Sequence, residues 1–179
     1  MENTNALQQN VSLRRFILRV LASWILMVAL DLLLNAGLFA KLWLEPSSFL
    51  LAPQDLLRRL YLGYIAFLVQ AVAYVWLTAR IGVRNWKQGS LFGLILGAML
   101  SIASVLGLRS GTTASWTMLL VAWLIDGTVL AAGACFAAGF AAERGEKRAL
   151  LSAFLFLIGS VILIMILQST GLVPARRMN

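Results

Sequence analysis

Apolar residues run along this chain in five long blocks, and the short segments between them gather nearly all of its charges. Cut at those charges, the blocks are Val20 to Ala40, Leu60 to Ala79, Gly89 to Leu108, Trp116 to Ala142 and Ala149 to about Val173. Each is near the roughly 20 residues that a helix needs to cross a hydrocarbon core about 30 Å thick. In lipid the backbone amides find no water, and a helix satisfies them within the segment itself. The pattern predicts an all-α polytopic bundle of about five membrane-spanning helices, with spans at approximately 20–40, 60–79, 89–108, 116–142 and 149–173.

The segments between blocks read as helix punctuation. Ser110, Gly111, Thr112 and Thr113 separate blocks three and four, with Ser115 placed to cap the next helix, and Gly145 within Glu143 to Glu146 is suited to ending the fourth. The longest connection, Lys41 to Arg59, still carries Phe49, Leu50, Leu51, Leu56 and Leu57. It is predicted to lie along the interface, with Pro53 opening the helix that becomes span two. No Gly/Ser-rich or Pro-rich stretch divides the chain, so residues 1–179 read as one integral membrane domain.

Composition agrees with a lipid solvent. The chain is 61% hydrophobic and only 12% charged, with a mean hydropathy of +0.87, more apolar surface than one small soluble core could bury. Its net charge of +8 comes from fifteen Lys and Arg residues dispersed among the short segments, which is the arrangement of loops flanking membrane spans. The implied partner is the bilayer with its anionic headgroups, and no nucleic acid. Counting cations on alternate sides gives nine (Arg14, Arg15, Arg19, Arg80, Arg84, Lys87, Arg144, Lys147, Arg148) against six (Lys41, Arg58, Arg59, Arg109, Arg176, Arg177). That bias predicts the N-terminus in the cytoplasm and the C-terminus outside. The first block follows an arginine cluster as a signal peptide would, but it contains Asp31 and Asn35 and no persuasive cleavage site follows, so it is expected to stay attached as a span.

Aromatic residues fit the same layout. Trp43, Tyr61, Tyr64 and Trp116 are expected near the outer interface and Trp24, Trp76 and Trp86 toward the inner one, all as interfacial anchors. Chemistry is restricted by what is missing. There is a single cysteine, Cys135, and no histidine, so an intrachain disulfide, imidazole ligation of a metal or haem, and a histidine general base are excluded. No cofactor, metal or catalytic residue is expected.

Two carboxyls do lie inside the blocks. Asp31 is ten residues before Lys41 and Asp126 ten after Trp116, which places both about 15 Å below the outer interface at 1.5 Å per residue. A charge at the centre of a membrane helix costs roughly 2.5 to 3.5 kcal/mol, so neither should face lipid. Gln70, counted from Leu60, reaches the same depth; Asn35 shares a helix face with Asp31; Ser101 and Ser104 come within a turn or two. Asp31, Asn35, Gln70, Ser101 and Asp126 therefore form a candidate polar intramembrane site. One reading is that it binds a cation, relays protons or holds a polar substrate, with the aspartates sharing a proton if they meet. The other is interhelical glue worth about 0.6 to 2 kcal/mol per contact.

Small residues recur every four positions in two blocks: Gly89, Gly93, Gly97 and Ser101 in the third, Gly127, Ala131, Cys135 and Gly139 in the fourth. Such stripes let helix backbones approach closely, which predicts that spans three and four are neighbours and that Cys135 is an inert packing residue. Asp31 and Asp126, similarly placed on helices of opposite direction, would also allow an inverted repeat of spans one-two and four-five around span three.

Asp31 with Asn35, Ala36, Gly37, Leu38 and Phe39, then Tyr61, Leu62, Gly63 and Tyr64, then the glycine ladder of block three, resembles uncharacterised small bacterial inner-membrane proteins over roughly the first three helices. The resemblance implies a bacterial cytoplasmic membrane and supplies no activity and no catalytic residues. A tryptophan-rich sensory protein of the TspO type is similar in size and span number, but the paucity of proline and the absence of its Trp- and Pro-rich motif argue against it. The leading expectation is a small multi-pass accessory or helix–helix interaction component, as a homo-oligomer or with a membrane-protein partner, held together by its polar layer. The rival is a small transporter or proton-coupled permease for an ion or small molecule, using Asp31 and Asp126. An intramembrane enzyme ranks third, because the spans hold no His, Cys pair or Ser–Lys constellation.

Overall fold

The computed structural model describes residues 2–44, 51 and 53–174. Helix α1 (Glu2–Asp31) runs without a break into a π-helical segment, Leu32–Leu38. After a short helix α2 (Pro53–Arg58) come α3 (Leu60–Arg80) and α4 (Trp86–Gly111). The short α5 (Trp116–Leu119) leads through a second π-helical segment, Leu120–Ile125, into α6 (Asp126–Arg144), and α7 (Glu146–Ser169) follows. Among the described residues there is no strand. Five helical stretches are long and apolar enough to cross a membrane: Leu13–Leu38, Leu60–Arg80, Trp86–Gly111, Trp116–Arg144 and Glu146–Ser169. The chain is an all-α integral membrane bundle.

The spans depart from the blocks cut at charges by a few residues: spans one and five start earlier, at Leu13 and Glu146, and end earlier, at Leu38 and Ser169. A helix does not stop where the lipid does, so α1 carries Arg14, Arg15 and Arg19 on its own turns before the apolar part begins. Local chemistry sets the other ends. The Asn85 side chain accepts from the Gln88 amide at 3.0 Å to start α4, and Ser115 accepts from the Met118 amide at 3.2 Å to start α5. Gly145, at φ +94°, turns the chain between α6 and α7, a conformation that a side chain would disfavour. Pro53 opens α2, but that helix ends after six residues, and Arg59 at φ −102° and ψ 3° separates it from α3. The expectation that Pro53 starts the second span is corrected accordingly. Phe49, Leu50, Arg176 and Arg177 lie outside the described residues.

Helices α1 and α6 form the centre of the bundle. Helix α1 packs against α3, α6 and α7, and α6 also touches α3, α4 and α7. The Ser23 hydroxyl, fully buried in α1, donates to the Ala134 carbonyl of α6 at 2.9 Å, with Met27 and Cys135 buried beside it. Helix α4 packs mainly along α6 at the edge of the bundle, so it is not an axis between two halves. Its stripe of small residues faces the stripe on α6 in antiparallel register. A Cβ on Gly93 would stand 2.5 Å from the Ala131 carbonyl oxygen, one on Gly97 2.6 Å from the Ala131 Cβ, and one on Gly127 2.5 Å from the Ser101 hydroxyl. Gly89 lies against the Cys135 carbonyl and Gly139 against that of Asn85. Contacts this close are what van der Waals packing between membrane helices requires.

The two ends of the bundle differ. At one, Arg19 of α1 grips Glu146 of α7 through Nε at 3.2 Å and Nη2 at 2.9 Å, and the Trp86 amide donates to Glu143 at 3.3 Å. Arg80, Arg84, Lys87 and Arg144 belong to this same basic end. The opposite end carries the two π-helical segments and the polar residues next to them.

Candidate functional site

The arrangement begins with where the helices change register. Asp31 is the last residue before the π-helical stretch of span one, and Asp126 is the first after that of span four. A π turn widens the helix, as in the bond from the Phe39 amide to the Leu34 carbonyl five residues back at 2.7 Å. Such turns are rare and are frequent at functional sites. Because spans one and four run in opposite directions, both π segments lie in the same half of the bundle, and both bring a carboxyl to their inner edge.

Asn35 joins those carboxyls. Its amide nitrogen donates to Asp31 Oδ1 at 2.8 Å, four residues back on its own helix, and to Asp126 Oδ1 at 3.2 Å on the facing helix. The Asn35 carbonyl accepts from the Trp43 indole at 2.9 Å. Both N–H groups of the amide are directed at carboxyl oxygens and its carbonyl is occupied, so the orientation of the Asn35 side chain is fixed by three partners. Asp126 is 8% exposed, while Asp31 and Asn35 are half-buried.

A cavity of about 220 Å³ opens beside this cluster, between the end of span one, the start of α3 and the end of α7. Asp31, Asn35, Tyr64 and Gln168 supply its polar lining. At about 30 Å³ per liquid water, the space is large enough for several waters or one small hydrated ion. No ion pair in the described structure involves Asp31 or Asp126. Among the described residues no three His, Cys, Asp or Glu side chains gather as a metal site.

The five residues expected to share one layer are divided by the structure. Asp31, Asn35 and Asp126 come together. Ser101 is buried on α4 against Gly127, within the packing seam, and Ser104 turns its hydroxyl to the Leu100 carbonyl of its own helix. Gln70 is exposed and lies away from the cluster. Its expected depth assumed that Leu60 stands at the membrane surface. Tyr64, however, lines the Asp31 cavity, and its carbonyl accepts from the Trp24 indole at 2.9 Å. Helix α3 therefore starts deep, and Gln70, six residues beyond Tyr64, lies about 9 Å further toward the basic end.

Trp24 and Trp43 are thus tied into the bundle by their indole N–H groups, in place of the purely interfacial role expected of them. Trp43, Tyr64 and Gln168 are the site residues that counting along the sequence misses. Gln168 does carry a signal, being an uncharged polar residue near the outer end of the last apolar block. Trp43 carries none, because its approach to Asn35 depends on the π turn and on the 3₁₀ turn Leu42–Leu44.

Compared with family models, with curated proteins and with solved structures, the chain matches none.

Proposed function

We propose that this protein is a small membrane carrier that takes up a proton or a small monovalent cation at the Asp31–Asn35–Asp126 cluster. The observation that carries the reading is the shared amide: one Asn35 nitrogen reaches carboxyl oxygens on two different spans. Those oxygens are therefore at most about 6 Å apart, where two full negative charges repel by about 3 kcal/mol at an effective dielectric of 20. With no Lys or Arg in the apolar blocks to offset them, the pair needs a proton or a cation. The cavity beside Asp31 supplies a route for it, and the π-helical segments supply a place where a helix can rewind by one residue and move its carboxyl. The basic end, with the larger share of cations, is the cytoplasmic side of a bacterial inner membrane in this reading.

Reconstitution in liposomes tests the proposal. With a trapped pH dye and an imposed potential, proton, Na⁺, K⁺ or Li⁺ gradients should drive a pH or ion flux. Asp31→Asn and Asp126→Asn should abolish it while circular dichroism shows an intact bundle. A parent protein that moves none of these ions would overturn the carrier reading. The second reading, an accessory component held together by its polar layer, is favoured by the bond from Asn35 to Asp126, which fastens span one to span four. It expects the same variants to weaken folding or assembly in a protein that shows no flux.

A further inference from the structure

A second concavity of the bundle lies away from the polar cluster. A groove of about 490 Å³ runs between α1, α4, α6 and α7, and its lining is almost wholly apolar. Phe140 and Ala149 mark one end of it, and Val129 and Leu30 the other. From Phe140 to Val129 is eleven residues of α6, about 16 Å along the axis. That is half of a hydrocarbon core about 30 Å thick, or the depth of one leaflet. A partner helix would cross both leaflets and would need a groove twice as long.

Cations stand where such a chain would meet the membrane surface. Ser90 of α4 and Ser152 of α7 line the groove toward the basic end. Lys87 precedes Ser90 by three residues and Arg148 precedes Ser152 by four, so each cation shares its serine's helix face one turn nearer the surface. Both are exposed, and among the described residues neither forms an ion pair. On α6, Arg144 follows Phe140 by four residues, but it is paired with Glu143 at 3.3 Å. Lys87 also stands 5.5 Å from the Trp86 ring, whose other neighbour is Phe136 in the groove wall.

We infer that this groove holds one acyl chain of an anionic phospholipid from the leaflet at the basic end, with its phosphate between Lys87 and Arg148. The length of the groove selects a leaflet lipid, and the cations select a negative headgroup. This inference is independent of the carrier reading, because none of the groove residues belongs to the polar cluster.

Native mass spectrometry of the full chain, released from nonionic detergent with dioleoyl phosphatidylglycerol or dioleoyl phosphatidylcholine, tests it. One phosphatidylglycerol per chain should be retained in preference to phosphatidylcholine. Lys87→Gln with Arg148→Gln should lower that preference on the order of tenfold, while tail binding persists. Ser152→Phe, at an exposed position that can accept a larger side chain, should fill the groove and remove retention of both lipids. Circular dichroism of each variant should match that of the parent. Equal retention of the two lipids by the parent, or full retention by Ser152→Phe, would overturn the inference. So would a parent dimer that Ser152→Phe converts to a monomer without loss of lipid, since the groove would then belong to a second copy.

Discussion

The side-chain amide of Asn35 lies 3.2 Å from Asp126 Oδ1, joining residues 91 positions apart in the chain. The same nitrogen reaches Asp31 Oδ1 at 2.8 Å, so a single side chain sets the distance between the two intramembrane carboxyls. Proximity of this kind makes their charges interdependent. Together with the Ser23 hydroxyl on the Ala134 carbonyl, Asn35 thereby holds span one in register with span four.

Removing that bridge should be costly, and the cost should depend on its partner. Asn35→Ala is expected to destabilise the bundle by about 1–3 kcal/mol, read from unfolding in detergent micelles. In a double-mutant cycle with Asp126→Asn, the two changes should couple by about 0.5–2 kcal/mol. Gln70→Ala, which lies away from the cluster, should be additive with either. Full additivity of Asn35→Ala with Asp126→Asn would remove the bridge from the account of stability.

The seam between α4 and α6 predicts opposite outcomes for the same substitution at two glycines of α4. A Cβ on Gly93 would meet backbone atoms, 2.5 Å from the Ala131 carbonyl and 2.8 Å from the Ala132 Cα, and neither can rotate away. Gly93→Ala should therefore push the helices apart and cost about 2–3 kcal/mol. Gly107, with nothing among the described residues within 4 Å, should accept alanine neutrally or with a gain of up to about 1 kcal/mol. Equal effects at the two sites would show that the stripe does not set the approach of the helices.

Within the same seam the Thr128 hydroxyl is buried and has no hydrogen-bond partner among the described residues. Valine has nearly its shape and no polar atom to satisfy. Thr128→Val should be neutral or stabilise the bundle by up to about 1 kcal/mol in the same unfolding measurement, and a loss above that size would reveal a partner for the hydroxyl.

How far the sequence discloses this arrangement follows from the range of the forces involved. The spans are legible because lipid solvation acts on every residue of a block, and the α4–α6 seam because small residues recur every four positions, at Gly89, Gly93 and Gly97. The meeting of Asp31 with Asp126 is legible in depth, since both helices are counted from charged or aromatic ends. The π-helical segments are not, because they arise from competition between helix hydrogen bonds and packing among residues distant in sequence. Tyr64 in place of Gln70 is lost for a related reason. The depth of α3 depends on the break at Arg59 and on the bond from Trp24, and composition records neither.

The one cysteine allows topology to be measured directly. Cys135 is fully buried against Gly89 and Gly93, and burial pressed against backbone leaves no path for a reagent. The native protein should resist maleimide until it is denatured. On that silent background, Ile81→Cys and Thr113→Cys, both exposed, one in the connection before α4 and one in the connection after it, should label from opposite sides of the membrane. A membrane-impermeant maleimide applied to intact cells should reach position 113, with position 81 reacting only after permeabilisation. The reverse pattern would invert the proposed orientation, and labelling of both from one side would contradict the number of spans between them.

The Arg19–Glu146 pair ties span one to span five at the basic end, and its setting decides what it contributes. The two side chains are 27% and 18% exposed and meet through two hydrogen bonds to one oxygen, Glu146 Oε1. That is more favourable than an exposed pair, whose contribution is at most about 1 kcal/mol, and it avoids the full desolvation cost of a buried one. Arg19→Met and Glu146→Gln should each destabilise the bundle by about 1 kcal/mol. The reversed pair, Arg19→Glu with Glu146→Arg, should recover only part of the loss, because the new arginine would stand beside Lys147 and Arg148. Half-molar salt should shrink the difference between parent and single variants, since the Debye length falls to about 4 Å. Single variants as stable as the parent, at low and high salt alike, would show that packing of α1 on α7 holds this end of the bundle without the ion pair.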